Sequence, residues 1–175
     1  GKSVFFKTLC GYSLLTEGQV IYRGKIIGKE QDFIDDAGIV IEEPEFINSL
    51  SGLENLKILA EIQKKISEAE IIEILKQFDL YEDRNKKVGK YSVGMKQKLR
   101  LAQAVMEKPQ VLILDEPMNG LDKKSVKKVE DILKAFVENG GTLLMTSHIE
   151  QQVEACCKIV YEIDGGEILR VTVLQ

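Results

Sequence analysis

The stretch "YSVGMKQKLRLAQAVMEKPQVLILDEPMNGLD", residues 91–122, carries two patterns whose order decides the fold. Its first half opens with Ser92 and Gly94 and continues as an amphipathic helix, with Leu99, Ala102 and Met106 on the side that meets a core. Its second half begins with the apolar run Val111 to Leu114, a buried-strand pattern that delivers Asp115 and Glu116 where the strand emerges. In open α/β sheets that carboxyl edge is where ligands bind.

Each half admits two readings. A hydroxyl residue and a glycine at a helix start expose free N–H groups backed by the positive end of the helix dipole, which makes an anion site. The same residues also serve as an ordinary Ser N-cap on a surface helix. Adjacent carboxylates at a strand end can divide labour, one orienting Mg2+ through its water shell and the other polarising an attacking water. They can equally be an acidic strand end or a helix cap.

The flanking sequence extends the alternation. Downstream, "KKSVKKVEDILKAFVENGG" reads as a helix closed by Gly140-Gly141, "TLLMTSH" as a second buried strand, and "IEQQVEACC" as a helix. "KIVYEIDGGEILRV" ends the chain with two strands around an Asp-Gly-Gly turn. Upstream, "SVFFKTLCGYSLL" predicts a short helix ending near Gly11, and "EGQVIYRGKIIG" a hairpin around Arg23-Gly24. "AGIVIEEP" then supplies a short strand, Ile39 to Ile41, closed by acids and Pro44. From Leu53 to Leu80 apolar residues recur at helical spacing, first Leu53, Leu56, Leu59 and Ile62, then Ile71, Ile74, Leu75 and Phe78. Ser67 and Glu70 form a capping-box signature before the second run. Near-continuous apolar strands separated by helices indicate a mainly parallel sheet covered on both faces.

The 175 residues suit one domain, with 44% hydrophobic and 30% charged residues and a formal charge of −4. That balance, without a concentrated basic face, argues against a nucleic-acid partner. No apolar run approaches the roughly 20 residues that cross a bilayer, so the sequence predicts no direct membrane insertion. Cys10, Cys156 and Cys157 have neither metal-ligand spacing nor a disulfide framework, and read as buried thiols of a reducing cytoplasm.

The chain opens on Gly1-Lys2-Ser3, the last positions of the phosphate-binding pattern G-x-x-x-x-G-K-[ST], a Walker A loop. Taken alone this is either the end of such a loop or a tripeptide met by chance. A start on Gly-Lys-Ser rather than Met reads as a fragment or a trimmed product.

Taken together, "YSVGMKQKLRLAQAVMEKPQVLILDEPMNGLD" followed by "TLLMTSH" resembles the ATP-binding domain of ABC transporters, and the likeness runs from Gly1 to about Leu169. The resemblance implies an α/β P-loop NTPase (RecA-like) core with a mostly parallel sheet and an inserted α-helical subdomain. The core would comprise 1–52 and 96–175 and the helical and signature insertion about 53–95. It further implies that the front of the Walker A loop, its strand and other N-terminal β-elements lie before Gly1, so that this stretch alone binds ATP poorly.

By the same resemblance Gly1, Lys2 and Ser3 bind ATP, Lys2 on the β/γ phosphates and Ser3 on Mg2+. Asp115 matches the Walker B aspartate of the metal's water shell, Glu116 the general base, and His148 the switch residue at the γ-phosphate, although a lone His is often merely structural. Ser92, Val93, Gly94 and Met95 match the signature loop that closes over ATP held by a second subunit, and Asp122 the D-loop of that dimer. Glu42 stands where the family places the Q-loop glutamine, within reach of Mg2+. Tyr91-Ser92-Val93-Gly94-Met95 in place of Leu-Ser-Gly-Gly-Gln, with "IVIEEP", resembles the bacterial subgroup of antimicrobial-peptide, bacteriocin-immunity and ABC-2-type exporters.

The expected protein is therefore an ATPase using ATP and Mg2+. It would act as a homodimer or as a heterodimer with a second ATPase domain, peripheral on the cytoplasmic face of the membrane and bound to a transmembrane permease. A soluble ABC-type ATPase of DNA repair or translation is the alternative. Those proteins typically carry a long coiled coil, a zinc module or a second cassette; none is seen in these 175 residues, although a longer chain could hold a second cassette. A P-loop GTPase or kinase is disfavoured by the signature helix and the "TSH" strand.

Overall fold

The computed structural model describes residues 1–42 and 45–174. Glu43 and Pro44, which close the "IVIEEP" stretch, lie outside the described residues. Helix α1 (Lys2–Cys10) comes first, then the hairpin β1 (Ile21–Tyr22) and β2 (Lys25–Ile26), then β3 (Ala37–Val40). Helices α2 (Gly52–Gln63), α3 (Glu68–Gln77) and α4 (Val93–Val105) follow. The second half alternates β4 (Val111–Leu114), α5 (Lys123–Glu138), β5 (Thr142–Met145) and α6 (Glu150–Cys156), and ends in β6 (Ile159–Asp164) and β7 (Glu167–Val173).

Strands β3, β4 and β5 form a parallel sheet in that order. Gly38 is level with Leu112 and Leu143, and Val40 with Leu114 and Met145, so the three strands end together. β4 is central and covered on both faces, as its unbroken apolar run requires. Ile113 meets Phe6 and Cys10 of α1 on one face, while Leu112 and Leu114 join Leu99 and Ala102 of α4, Met106 at its C-cap, and Val129 and Leu133 of α5 on the other. Leu99, Leu112 and Leu114 are fully buried, and each such side chain contributes about 1.5–3 kcal/mol.

Local signals set the helix ends. α1 stops at Gly11, whose φ of +88° places it in the left-handed region. The predicted Ser67–Glu70 capping box is formed, and Ser51 with Glu54 makes a second one at α2. Glu70 also accepts a hydrogen bond from Lys108, the main reason its carboxyl is held down at about 2. The apolar periodicity of α2 has one exception: Ile62 is 75% exposed and Ile58 is exposed beside it. The closing hairpin β6–β7 pairs antiparallel as a sheet of its own and leaves Ile159, Tyr161, Leu169 and Val173 exposed.

Close packing of β3 on α4 depends on one glycine. A Cβ on Gly38 would stand 2.0 Å from the carbonyl oxygen of Ala104 and 2.7 Å from Leu112 Cδ2. Backbone cannot yield as a flexible side-chain tip can, so strand and helix would have to separate. Gly38→Ala is therefore expected to lower unfolding free energy by about 1–3 kcal/mol, read from the denaturant midpoint. An unchanged midpoint would contradict this packing.

Candidate functional site

The in-register sheet brings three strand ends to one edge. Asp115 N donates to Val40 O at 2.7 Å and Thr146 N to Leu114 O at 3.0 Å, extending the parallel ladder one residue beyond the strands. The side chain of Thr146, buried behind β5, then knits β4 and β5 together. Its hydroxyl donates to Asp115 Oδ1 at 2.6 Å and accepts from Glu116 N at 2.9 Å. One hydroxyl thus fixes both the Asp115 carboxylate and the Glu116 backbone. In the sequence Thr146 carries only a weak signal, a hydroxyl residue directly after a buried strand.

Glu116 sits in strained backbone, with φ of +48°. For a residue with a Cβ this costs about 1–2 kcal/mol, and such strain gathers at functional sites. Its Oε1 atom is buried and, among the described residues, accepts no hydrogen bond. His148 Nε2 stands 3.1 Å from that oxygen, within ion-pair range when the imidazole carries its second proton. The imidazole itself is 77% exposed, so the pair faces outward.

The remaining site residues fall in two further groups. Gly1 is the N-cap of α1, with Lys2 and Ser3 in its first turn. The helix is seated on the sheet by Phe6 and Cys10, and Lys7 Nζ reaches Glu42 Oε1 at 2.5 Å, tying α1 to the end of β3. Glu42 is itself left-handed, with φ of +61°, and exposed. Among the described residues no hydrogen bond or ion pair joins Lys2 or Ser3 to Asp115 or Glu116.

The third group is the start of α4. Ser92 caps it, its hydroxyl accepting from Met95 N at 3.2 Å, while Val93 is 69% exposed and Gly94 and Met95 are partly buried. This turn lies against the loop after β4: a Cβ on Gly94 would stand 3.1 Å from Gly120 O. Asp122 closes that loop as the N-cap of α5, accepting from Ser125 N at 2.9 Å and Ser125 Oγ at 3.0 Å. These hydrogen bonds hold its carboxyl below the usual carboxylate range. The cysteines are free, and burial pushes Cys156 up to about 12 and Cys10 up to about 11, far from nucleophilic.

The ABC transporter family matches residues 1–119 of the chain. The uncharacterized ABC transporter ATP-binding protein YybJ of Bacillus subtilis is 36% identical over 168 residues, covering 96% of this chain and 77% of that protein. The bacitracin transport ATP-binding protein BcrA of Enterococcus faecalis is 32% identical, over 97% of this chain and 56% of its own length. The lantibiotic transport ATP-binding protein SrtF of Streptococcus pyogenes is 32% identical, over 97% and 72%. The chain thus spans 56% to 77% of the length of these curated relatives. A solved dimeric ATP-binding cassette bound to ADP and Pi superposes with a TM-score of 0.87 at 23% identity, over 100% of this chain and 81% of that one, a likeness of fold. With the three strand ends converging on Asp115, Glu116 and His148 and a family match over more than half its length, the chain belongs to the ABC transporter family as one of its ATP-binding cassettes.

Proposed function

We propose that this cassette hydrolyses ATP to drive export of a peptide or antibiotic through a separate transmembrane permease, working as a dimer at the cytoplasmic face of the membrane. The observation that carries the reading is the buried Oε1 of Glu116 at the carboxyl edge of the sheet, which accepts no hydrogen bond among the described residues and has the ionisable His148 beside it. A buried carboxylate oxygen that accepts no hydrogen bond is costly unless a proton-bearing group such as water or a protonated imidazole completes it. The names of the bacitracin and lantibiotic relatives support the class of cargo.

In this reading the first-turn amides of α1 and the Lys2 ammonium hold the phosphates, with the positive helix end behind them. Mg2+, when bound with nucleotide, would supply neutralisation of the phosphate charge. Among the described residues no cluster of three or more His, Cys, Asp or Glu side chains forms a metal cage. Mg2+ itself keeps waters and phosphates among its ligands and takes only one or two protein groups. Ser3 and Asp115 are candidate contacts, with Glu42, paired to Lys7, as a third. Thr146 fixes the Asp115 carboxylate, so it meets the water shell in one orientation.

Glu116 takes a proton from the attacking water as its oxygen bonds to the γ-phosphorus and the bond to the β–γ bridging oxygen breaks. His148, exposed beside it, holds the γ-phosphate. Ser92, Val93, Gly94 and Met95 present the N-terminal amides of α4 to nucleotide on a second cassette, and Asp122 lies on the loop against them. Exposed Ile47, Ile58 and Ile62 around α2 offer an apolar seat for a cytoplasmic helix of the permease.

Replacing the base tests the chemistry. In the full-length protein Glu116→Gln is expected to keep ATP binding and to cut turnover about a hundredfold or more. Turnover at the unmodified rate would remove Glu116 from this role. A second outcome concerns Thr146→Val, which strands Asp115 Oδ1 and Glu116 N–H. It is expected to destabilise the fold by about 1–3 kcal/mol in denaturant unfolding, with Thr146→Ser losing far less. Equal effects of the two substitutions would show that the hydroxyl is not the tie.

A further inference from the structure

Gln97 lies on α4, just beyond the turn capped by Ser92, and is 6% exposed. On a helix it shares a stripe with Leu101 and Ala104, both buried, so it is a polar residue in an apolar row. Both ends of its amide are engaged. Oε1 accepts from Arg100 Nη1 at 3.2 Å, which fixes the flip, since a guanidinium only donates. Nε2 therefore faces the chain after β4, donating to Pro117 O at 2.9 Å and more weakly to Glu116 O at 3.4 Å.

Those carbonyls belong to the turn that carries Glu116. The N–H of the same residue is held by Thr146 Oγ1. The left-handed Glu116 backbone is thus gripped from β5 on its amino side and from α4 on its carbonyl side. A leucine at position 97 would fill the stripe, yet would leave the Pro117 carbonyl without this donor; Glu116 O would keep only the bond from Asn119 N at 3.1 Å, made within the turn itself, so nothing would tie the turn to α4 on that side. The start of α4 also lies against Gly120 through Gly94, so a shift of that helix reaches the turn at two points.

We propose that Gln97 is a positioning residue for the Glu116 base, tying the carboxylate's backbone to α4, so that the base is set only while the signature turn is seated. The inference rests on the reading of Glu116 as the general base. It gives the cassette a physical link between the turn that meets a partner's nucleotide and the residue that activates water at its own.

The test uses the full-length protein with Gln97→Leu and Gln97→Glu, each alone and combined with Glu116→Gln. Gln97→Leu is expected to lower kcat about tenfold or more while KM and nucleotide affinity stay within about threefold. Gln97→Glu should fall similarly, because an ionised carboxylate cannot donate to two carbonyls; it also keeps the side-chain volume should the leucine variant not fold. In the Glu116→Gln background neither change should reduce residual turnover by more than about threefold, since the group they position is gone. Unchanged kcat in Gln97→Leu, a loss confined to KM, or an equal proportional loss in both backgrounds overturns the proposal. Glu116→Gln turning over at the unmodified rate would instead overturn the underlying reading of the base, and this inference with it.

Discussion

The parallel register of β3, β4 and β5 is the constraint on which the rest depends. Because Val40, Leu114 and Met145 are level, the residues that follow them leave the sheet at one edge. Asp115, Glu116, Thr146 and His148 meet there although Asp115 and Thr146 are 31 positions apart in sequence with helix α5 between them; a slip of one residue would turn every side chain of a strand to the other face. The hydroxyl of Thr146 secures that register at its last step, bonding across from β5 to both acidic residues of β4. Register, strain at Glu116 and the aim of the carboxylates are consequences of one pairing.

Around that edge the helices play different parts. α1 brings Gly1, Lys2 and Ser3 to the sheet through Phe6 and Cys10, an apolar contact reinforced by the Lys7–Glu42 pair. α4 packs closely on β3 because Gly38 has no Cβ, and so presents its capped start to the loop after β4. Strand packing thereby settles where the Ser92 turn sits, and the Gln97 amide carries that placement to Glu116.

Much of this was legible in the sequence because its signals are local. An apolar run ending in Asp115-Glu116 reads as a strand with acids at its end, and Ser67 followed by Glu70 reads as a helix cap. The hairpin around Arg23-Gly24 and the stop at Gly11 need only left-handed backbone. What escaped was pairing. Thr146 and Gln97 act through partners about thirty and twenty residues away in sequence, and a hydroxyl or amide carries no mark of which carbonyl it will meet. Gln97 did carry a weaker signal, a polar side chain in the stripe of Leu101 and Ala104. The exposure of Ile62 was hidden for a related reason, since periodicity gives a face without saying what covers it. Nor could alternation reveal that β6 and β7 pair with each other apart from the parallel sheet.

The central claim is that the carboxyl edge of this sheet, with the start of α1, is the nucleotide site. Hydrogen exchange of the full-length protein, followed by mass spectrometry with and without Mg-ATP, locates binding along the backbone. Slowed exchange is expected in residues 1–6 and 146–149, with 92–97 joining as the dimer forms. Protection confined to the opposite edge of the sheet, around Asp36 and Gly38, with residues 1–6 and 146–149 unchanged, would contradict the account.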